Sequence, residues 1–130
     1  MTTRAKILLL AASLGLSSAL RAEPPVGNPS AVAQEYYLAI GEGDLPTERS
    51  LYSSQAVAFF ASEPPQVRAM MESGKTVTFG DTITGVGPVK ENLQGDKAWV
   101  DVVIHYAHHA DAKFNCGVMK ENGVWKITTN

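Results

Sequence analysis

The chain has 130 residues, of which 45% are hydrophobic and 18% charged, and its formal net charge is −2. This composition is typical of a globular protein and excludes a largely disordered one. No run of lysine or arginine occurs in the sequence, which argues against a nucleic-acid partner because such a partner requires a clustered basic face.

The first 22 residues have the pattern of a secretory signal peptide. Arg4 and Lys6 precede an apolar run over residues 7–16, and small residues follow up to Ala22. The apolar run is shorter than the roughly 20 residues needed to span a bilayer. We therefore expect cleavage after Ala22 or Ala19 and an exported bacterial protein, periplasmic or secreted, with no stable membrane anchor.

Residues 23–27 are rich in proline and are interpreted as a linker to one domain over residues 28–130. Cys116 is the single cysteine, so packing rather than a disulfide must stabilise this domain. Because Cys116 lies in an alternating apolar segment, we expect a buried thiol. It also lies far from the apolar run, whereas a lipid-anchored bacterial precursor carries its cysteine directly after that run.

The first half of the domain has helical periodicity. Asn28 and Pro29 can start a helix that ends at Gly41 or Gly43, since asparagine caps an N-terminus and proline fits the first turn. Its apolar residues recur at helical spacing: Val32, Ala33, Tyr36, Tyr37 and Ile40. Three shorter helices are predicted over residues 45–52, from Ser53 or Ser54 through Phe60, and over 66–73, where Gly74 ends the last one.

After Gly74 the apolar period changes to two, which predicts a meander of strands over residues 75–84, 86–94, 97–109, 113–121 and 124–129. Two-residue turns are predicted at 95–96 and 122–123 because glycine and asparagine tolerate positive φ. A three-residue loop at 110–112 keeps the apolar residues of neighbouring strands on one face. These turns place Val118 opposite Ile127, Lys120 opposite Trp125 and Lys90 opposite Asp101.

Helices followed by an antiparallel meander predict an α+β domain, with N-terminal helices packed on a curved antiparallel sheet. Two segments carry a family resemblance: residues 33–44, AQEYYLAIGEGD, and residues 121–127, ENGVWKI. In their order and spacing they resemble the nuclear transport factor 2-like superfamily, and more narrowly its exported bacterial lumazine-binding-like domains of unknown function. The resemblance covers about residues 28–130 and implies a cone-shaped, cystatin-like fold with a pocket between sheet and helices. It does not imply one reaction, since that superfamily includes enzymes, ligand binders and dimeric adaptors.

The pocket candidates are the aromatic and apolar side chains expected to face the inside of the cone: Tyr36, Tyr37, Phe59, Val102, Ile104, Tyr106, His108, Phe114, Val118 and Trp125. No catalytic residue, metal site or cofactor is assigned. His105 and His109 share a strand face but are roughly 13 Å apart at strand spacing, too far for a common metal ion. His108 faces the other side, where its imidazole could act as a pocket acid or base. Asp44 and Asp81 fall in turns, where capping and solvation explain them.

The leading functional hypothesis is an exported, non-catalytic binding domain for a small apolar ligand or an envelope protein. One alternative is an isomerase- or cyclase-like enzyme that uses a pocket tyrosine and His108. Another is an accessory or toxin-neutralising protein that dimerises through the outer sheet face, where Trp99, Val103 and Met119 are expected. A surface of short-helix residues is a further prediction if Phe60 and Met71 are exposed, because adjacent apolar residues cannot all face one core.

Overall fold

The computed structural model describes residues 28–129, and the signal peptide and linker predicted over residues 1–22 and 23–27 lie outside this range. Five helices precede four strands along the described chain. The helices are α1 (Pro29–Glu42), α2 (Leu45–Ser50), α3 (Ser54–Ala61), α4 (Pro65–Glu72) and α5 (Lys75–Thr78). The strands are β1 (Ile83–Gln94), β2 (Lys97–Tyr106), β3 (Ala112–Glu121) and β4 (Val124–Ile127). None of the helices between residues 28 and 129 is long and apolar enough to cross a membrane.

The longest helix, α1, begins and ends where the sequence predicts. The Asn28 side chain accepts a hydrogen bond from the backbone N–H of Ala31 at 3.2 Å, which caps the N-terminus. Gly43 ends the helix in the left-handed conformation, with φ of 69°. α1 buries Val32 and Tyr37 and contacts all four strands, so it is the main helical cover of the sheet.

The sheet is antiparallel, with the strands in chain order β1-β2-β3-β4. The predicted turns at 95–96 and 122–123 are confirmed, as are the pairs Val118–Ile127, Lys120–Trp125 and Lys90–Asp101. Two register shifts in β1, at residues 83–85 and 88–90, bend this strand. The α+β prediction, with helices on one face of a curved antiparallel sheet, is therefore confirmed.

The prediction of a first strand over residues 75–84 is wrong. Residues 75–78 form the one-turn helix α5, and β1 begins only at Ile83. The carbonyl of Gly74 accepts hydrogen bonds from the N–H groups of Val77 and Thr78, and Phe79 ends the turn in the left-handed conformation. Val77 packs against the core, so this tertiary contact outweighs the strand propensity of the Thr-Val-Thr segment.

The predicted strand 97–109 and the predicted loop 110–112 are also wrong in detail. β2 ends at Tyr106 and the loop covers residues 107–111, so Val102 pairs with Phe114 and Val100 with Cys116. The loop has five residues, an odd number like the predicted three. Because both loop lengths are odd, the residues of β2 and β3 that face inward are the predicted ones, although each residue pairs with a different partner than predicted.

The core lies between α1 and the inner face of the sheet. Its fully buried members come from the helical half and from the sheet: Val32, Ala33, Leu51, Ala56, Val100, Val102, Ile104 and Val118. Cys116 belongs to the same cluster as a buried free thiol, as predicted. Burial raises the pKa of this thiol to about 12, so it is protonated and chemically inert at neutral pH.

Candidate functional site

Most of the predicted pocket residues lie in the core itself. Val102, Ile104 and Val118 are fully buried, and Tyr106 and Trp125 are buried beside them. These side chains pack against one another and against α1. Their first role is to stabilise the fold, since burying each large apolar side chain contributes roughly 1.5–3 kcal/mol.

The two tyrosines of α1 form part of an aromatic cluster. Tyr37 is buried and its ring centroid lies 5.7 Å from that of the half-buried Phe114. Tyr36 is half-buried, with its ring 6.1 Å from that of Tyr52. Burial raises the pKa of both α1 hydroxyls, so both are protonated at neutral pH.

His108 does not face the inside of the cone, which corrects its prediction as an inward pocket residue. It lies in the loop beyond β2, and 82% of its side chain is exposed. Asp81 accounts for this position, because its carboxylate accepts a hydrogen bond from the His108 N–H at 2.8 Å. The same carboxylate contacts Nδ1 of His108 at 3.0 Å and Nδ1 of His109 at 2.5 Å. These contacts hold residues 108 and 109 in a loop, where the sequence predicts that the strand continues to residue 109.

The solvation that the sequence predicts for Asp81 is wrong, whereas its carboxylate does cap backbone N–H groups, those of Thr82 and His108. Its side chain is 3% exposed, and hydrogen bonds from His109, His108 and the backbone N–H of Thr82 hold its pKa well below the usual range. The carboxylate is therefore ionised at neutral pH. Among the described residues, no group of three or more His, Cys, Asp or Glu side chains is arranged to hold a metal ion.

Phe59 is the second predicted pocket residue that lies elsewhere. It is exposed on α3, and its ring meets that of Phe60 edge-on at 5.5 Å between centroids. In the adjacent apolar pairs Phe59–Phe60 and Met70–Met71, Phe59 and Met70 are exposed, whereas Phe60 and Met71 are half-buried. Phe60 and Met71 therefore do not form the exposed apolar surface that the sequence suggested. Phe60 packs against the core instead.

A groove of about 340 Å³ lies among α2, α3 and α4. Its apolar wall consists of Tyr52, Val57, Phe60 and Ala61. Its charged wall consists of Arg49, Arg68 and Glu72. Clefts that bind small ligands have volumes from about 300 Å³ and combine a mainly apolar lining with a few polar groups, so this groove has the composition of a small ligand site.

The sheet edge positions the floor of this groove. The N–H of Ser53 donates to the carbonyl of Ile127 at 2.8 Å, and the N–H of Ile127 donates to the carbonyl of Leu51 at 2.7 Å. This bridge fixes Tyr52 against β4. The buried side chain of Ser53 then caps α3 by accepting from the N–H of Ala56 at 3.1 Å. The start of α3 is therefore held rigidly to the sheet.

An ion pair between α2 and α4 closes one side of the groove. Arg49 donates from Nε and Nη2 to the two carboxylate oxygens of Glu72, at 3.0 and 2.9 Å. The hydrogen bonds from Arg49 lower the pKa of Glu72, so the pair is fully charged at neutral pH. Arg68 lies near this pair and donates from Nη1 to the carbonyl oxygen of Phe60 at 3.4 Å.

Behind the groove, the carboxyl group of Glu48 is buried, with 3% of the residue exposed. The hydroxyl of Tyr52 donates to its Oε2 at 3.0 Å. Burial raises the pKa of Glu48, and the Tyr52 hydrogen bond offsets only part of that rise. A carboxyl group whose pKa is perturbed by burial is a candidate functional residue when it lies at a cleft.

No pattern in the sequence singles out the residues around this groove. Glu48 and Arg49 lie in a short polar helix that looks like an ordinary solvated surface, and Arg68 and Glu72 have the same appearance in α4. The i, i+4 spacing of Glu48 and Tyr52 predicts a contact on a helix face. No local sequence pattern indicates that this contact is buried or that Glu72 of α4 lies against Arg49.

Comparison with known proteins gives a fold but not a close relative. No protein-family model matches the chain and no curated protein matches its sequence. A solved structure from Campylobacter jejuni, described as an NTF2-like transpeptidase, aligns with a TM-score of 0.60 at 11% identity, covering 80% of this chain and 100% of that one. A SEC-C motif containing protein from Rhodopseudomonas palustris aligns with a TM-score of 0.52 at 11% identity, covering 78% of this chain and 75% of that one. This chain therefore has the NTF2-like fold.

Proposed function

We propose that this protein is an exported, non-catalytic binding domain, and that its ligand site is the groove among α2, α3 and α4. The observation that carries the proposal is the lining of the groove. Apolar side chains, including exposed Val57, line the groove together with two arginines and one glutamate, which is the mixture that binds and orients a small, largely apolar molecule.

The contrast with the interior supports this choice of site. Val102, Ile104 and Trp125 were candidates for an interior pocket, but they contact other core side chains. A ligand between helices and sheet would have to displace those contacts. A ligand in the groove displaces solvent and covers side chains of which all but Tyr52 are exposed or half-buried, without displacing core contacts.

The runner-up is an isomerase- or cyclase-like enzyme, and one observation favours it. Glu48 and Tyr52 form a buried carboxyl–hydroxyl pair next to the groove. We place this function second because Glu48 is almost fully buried and does not line the groove. His108, the base that the sequence offers for such a reaction, is held outside by Asp81.

Export is the other half of the proposal, and it rests on residues 1–22 of the sequence. The intact mass of the protein recovered from its bacterial host is expected to lack either the first 22 or the first 19 residues. Recovery of the full-length chain from the cytosolic fraction would contradict export.

Native mass spectrometry of the protein purified from its own cell envelope tests the binding proposal. The expected result is a small-molecule adduct on the wild-type chain. Ala61→Trp is expected to remove the adduct because it fills the groove. Ala58→Trp makes the same change at another exposed position of α3, outside the groove lining, and is expected to retain the adduct.

Three outcomes would contradict the proposal. The wild-type chain carries no adduct, the adduct persists in Ala61→Trp, or a protein co-purifies in place of a small molecule. The first and third reject a small ligand, and the second places it outside the groove.

A further inference from the structure

The charges around the groove differ in how far the protein itself satisfies them. Arg49 and Glu72 are joined by two hydrogen bonds of 3.0 and 2.9 Å. Both oxygens of the carboxylate accept from the same guanidinium, which is the strong bidentate geometry. This pair is internally neutral and leaves Glu72 with little capacity to bind a cation.

Arg68 is the remaining charge in the groove. Within the described part of the chain, its hydrogen bond is the long one of 3.4 Å to the carbonyl oxygen of Phe60. A guanidinium has five N–H donors, so most of the donors of Arg68 are available to a ligand. The two arginines and one glutamate give the groove lining an excess of one positive charge, and Arg68 is the arginine that makes no hydrogen bond to the Glu72 carboxylate.

The apolar wall defines the rest of the ligand. Val57 is 52% exposed, and Phe60 is half-buried between the groove and the core. Both side chains line the groove with Arg68. A ligand whose apolar part covers Val57 and Phe60 can therefore place an anionic end near the guanidinium. A planar carboxylate accepts two parallel hydrogen bonds from the fork of an arginine, and its single charge equals the excess charge of the groove lining.

We infer that the groove binds monocarboxylates with an apolar chain or ring, with the carboxylate on Arg68 and the apolar part against Val57 and Phe60. The inference rests on the proposed function, because it names the ligand class of the same groove. It goes beyond that function in giving Arg68 the role of a specificity-determining residue.

Titrations of the mature chain followed by amide NMR test the inference with three probes of equal chain length. The probes are decanoate, 1-decanol and decyltrimethylammonium, which carry a negative, a neutral and a positive end. The expected result is that decanoate binds most tightly and shifts amide signals of α3 and α4. Arg68→Gln is expected to weaken decanoate binding about tenfold or more and to leave 1-decanol binding unchanged. Lys75→Gln removes one positive charge outside the groove lining and is expected to change neither by more than about twofold.

Different outcomes of these titrations test the class of ligand and the location of the binding site. If 1-decanol or decyltrimethylammonium binds the wild-type groove as tightly as decanoate, the monocarboxylate inference is overturned and the groove stands as an apolar site. If decanoate shifts only sheet signals, or shifts none in the groove, both the inference and the choice of groove fail. The comparison of probes on the wild-type chain distinguishes these outcomes even if Arg68→Gln does not fold.

Discussion

Glu48 is the residue at which sequence and environment disagree most. It lies on a short helix with polar neighbours, yet it is nearly as buried as the core and contacts the hydroxyl of Tyr52. Burial penalises its ionised form and raises its pKa in the folded state. In the unfolded chain the same group ionises near pH 4.3.

Glu48 is therefore expected to make the free energy of unfolding fall as pH rises. Between the unfolded pKa and the raised folded pKa, the folded state holds the proton and the unfolded state does not, so increasing pH favours unfolding. Glu48→Gln keeps an acceptor for Tyr52 and removes the ionisation. Its stability relative to the wild type should rise from about pH 4 upward.

Urea unfolding of both proteins from pH 4 to pH 8 measures this difference. Glu63→Gln, in the segment between α3 and α4, serves as the control and is expected to run parallel to the wild type. Parallel profiles for Glu48→Gln and the wild type would show that the carboxyl is not destabilised by burial.

At the scale of elements, the junction between α4 and α5 depends on one glycine. Gly74 has φ of 74°, and a Cβ atom there would lie 2.7 Å from Cγ2 of Ile40 in α1. Gly80 has the same φ, but a Cβ atom there would have no neighbour within 4 Å. The two positions share the backbone requirement and differ in packing alone.

Gly74→Ala is therefore expected to destabilise the protein more than Gly80→Ala. The left-handed conformation costs an alanine about 1–2 kcal/mol at either position. The clash with the stiff, β-branched Ile40 adds about 1–3 kcal/mol at Gly74. The midpoints of thermal unfolding measure both, and equal losses would mean that α1 and the turn move apart freely.

Sequence reasoning succeeds for the elements whose signals are local. The cap at Asn28, the stop at Gly43 and the two-residue turn at 122–123 each depend on the conformation of a few neighbouring residues. The predicted strands fail at residues 75–84 and at 107–109, where contacts with residues distant in sequence decide the secondary structure. Asp81 binds the loop 27 and 28 residues away, and no local period encodes such a contact.

At the scale of the whole molecule, the outer sheet face is the surface not covered by helices. Trp99, Val103 and Met119 lie on this face and are half-buried within the single chain. Trp99 pairs with Gly117 and Val103 with Gly87, so small residues lie beside the large ones and keep the face shallow. Asp101 lies between Trp99 and Val103 on the same face of β2 and accepts a hydrogen bond from Asn115 at 3.0 Å, so the face combines apolar residues with a polar pair, as a pairing surface of two sheets can.

We propose that this face mediates a homodimer, which sedimentation equilibrium of the mature chain can measure. Val103→Lys is expected to weaken dimerisation at least tenfold, since it replaces an apolar contact of the interface by a further charge that has to be buried. Ala58→Lys, at an exposed position of helix α3 outside the sheet, is expected to leave it unchanged. A wild-type chain that stays monomeric at the highest soluble concentration would contradict the proposal.

The sequence by itself determined the α+β order of elements, the antiparallel meander and the inward faces of β2 and β3. These follow from periodicity and turn chemistry, which act over a few residues and fix the side of the sheet on which each side chain lies. Only the tertiary structure decided where Glu48, Arg68 and His108 lie. Their positions depend on burial and on pairing across long stretches of chain, and polar residues of short helices and loops have no periodic signal that reveals either.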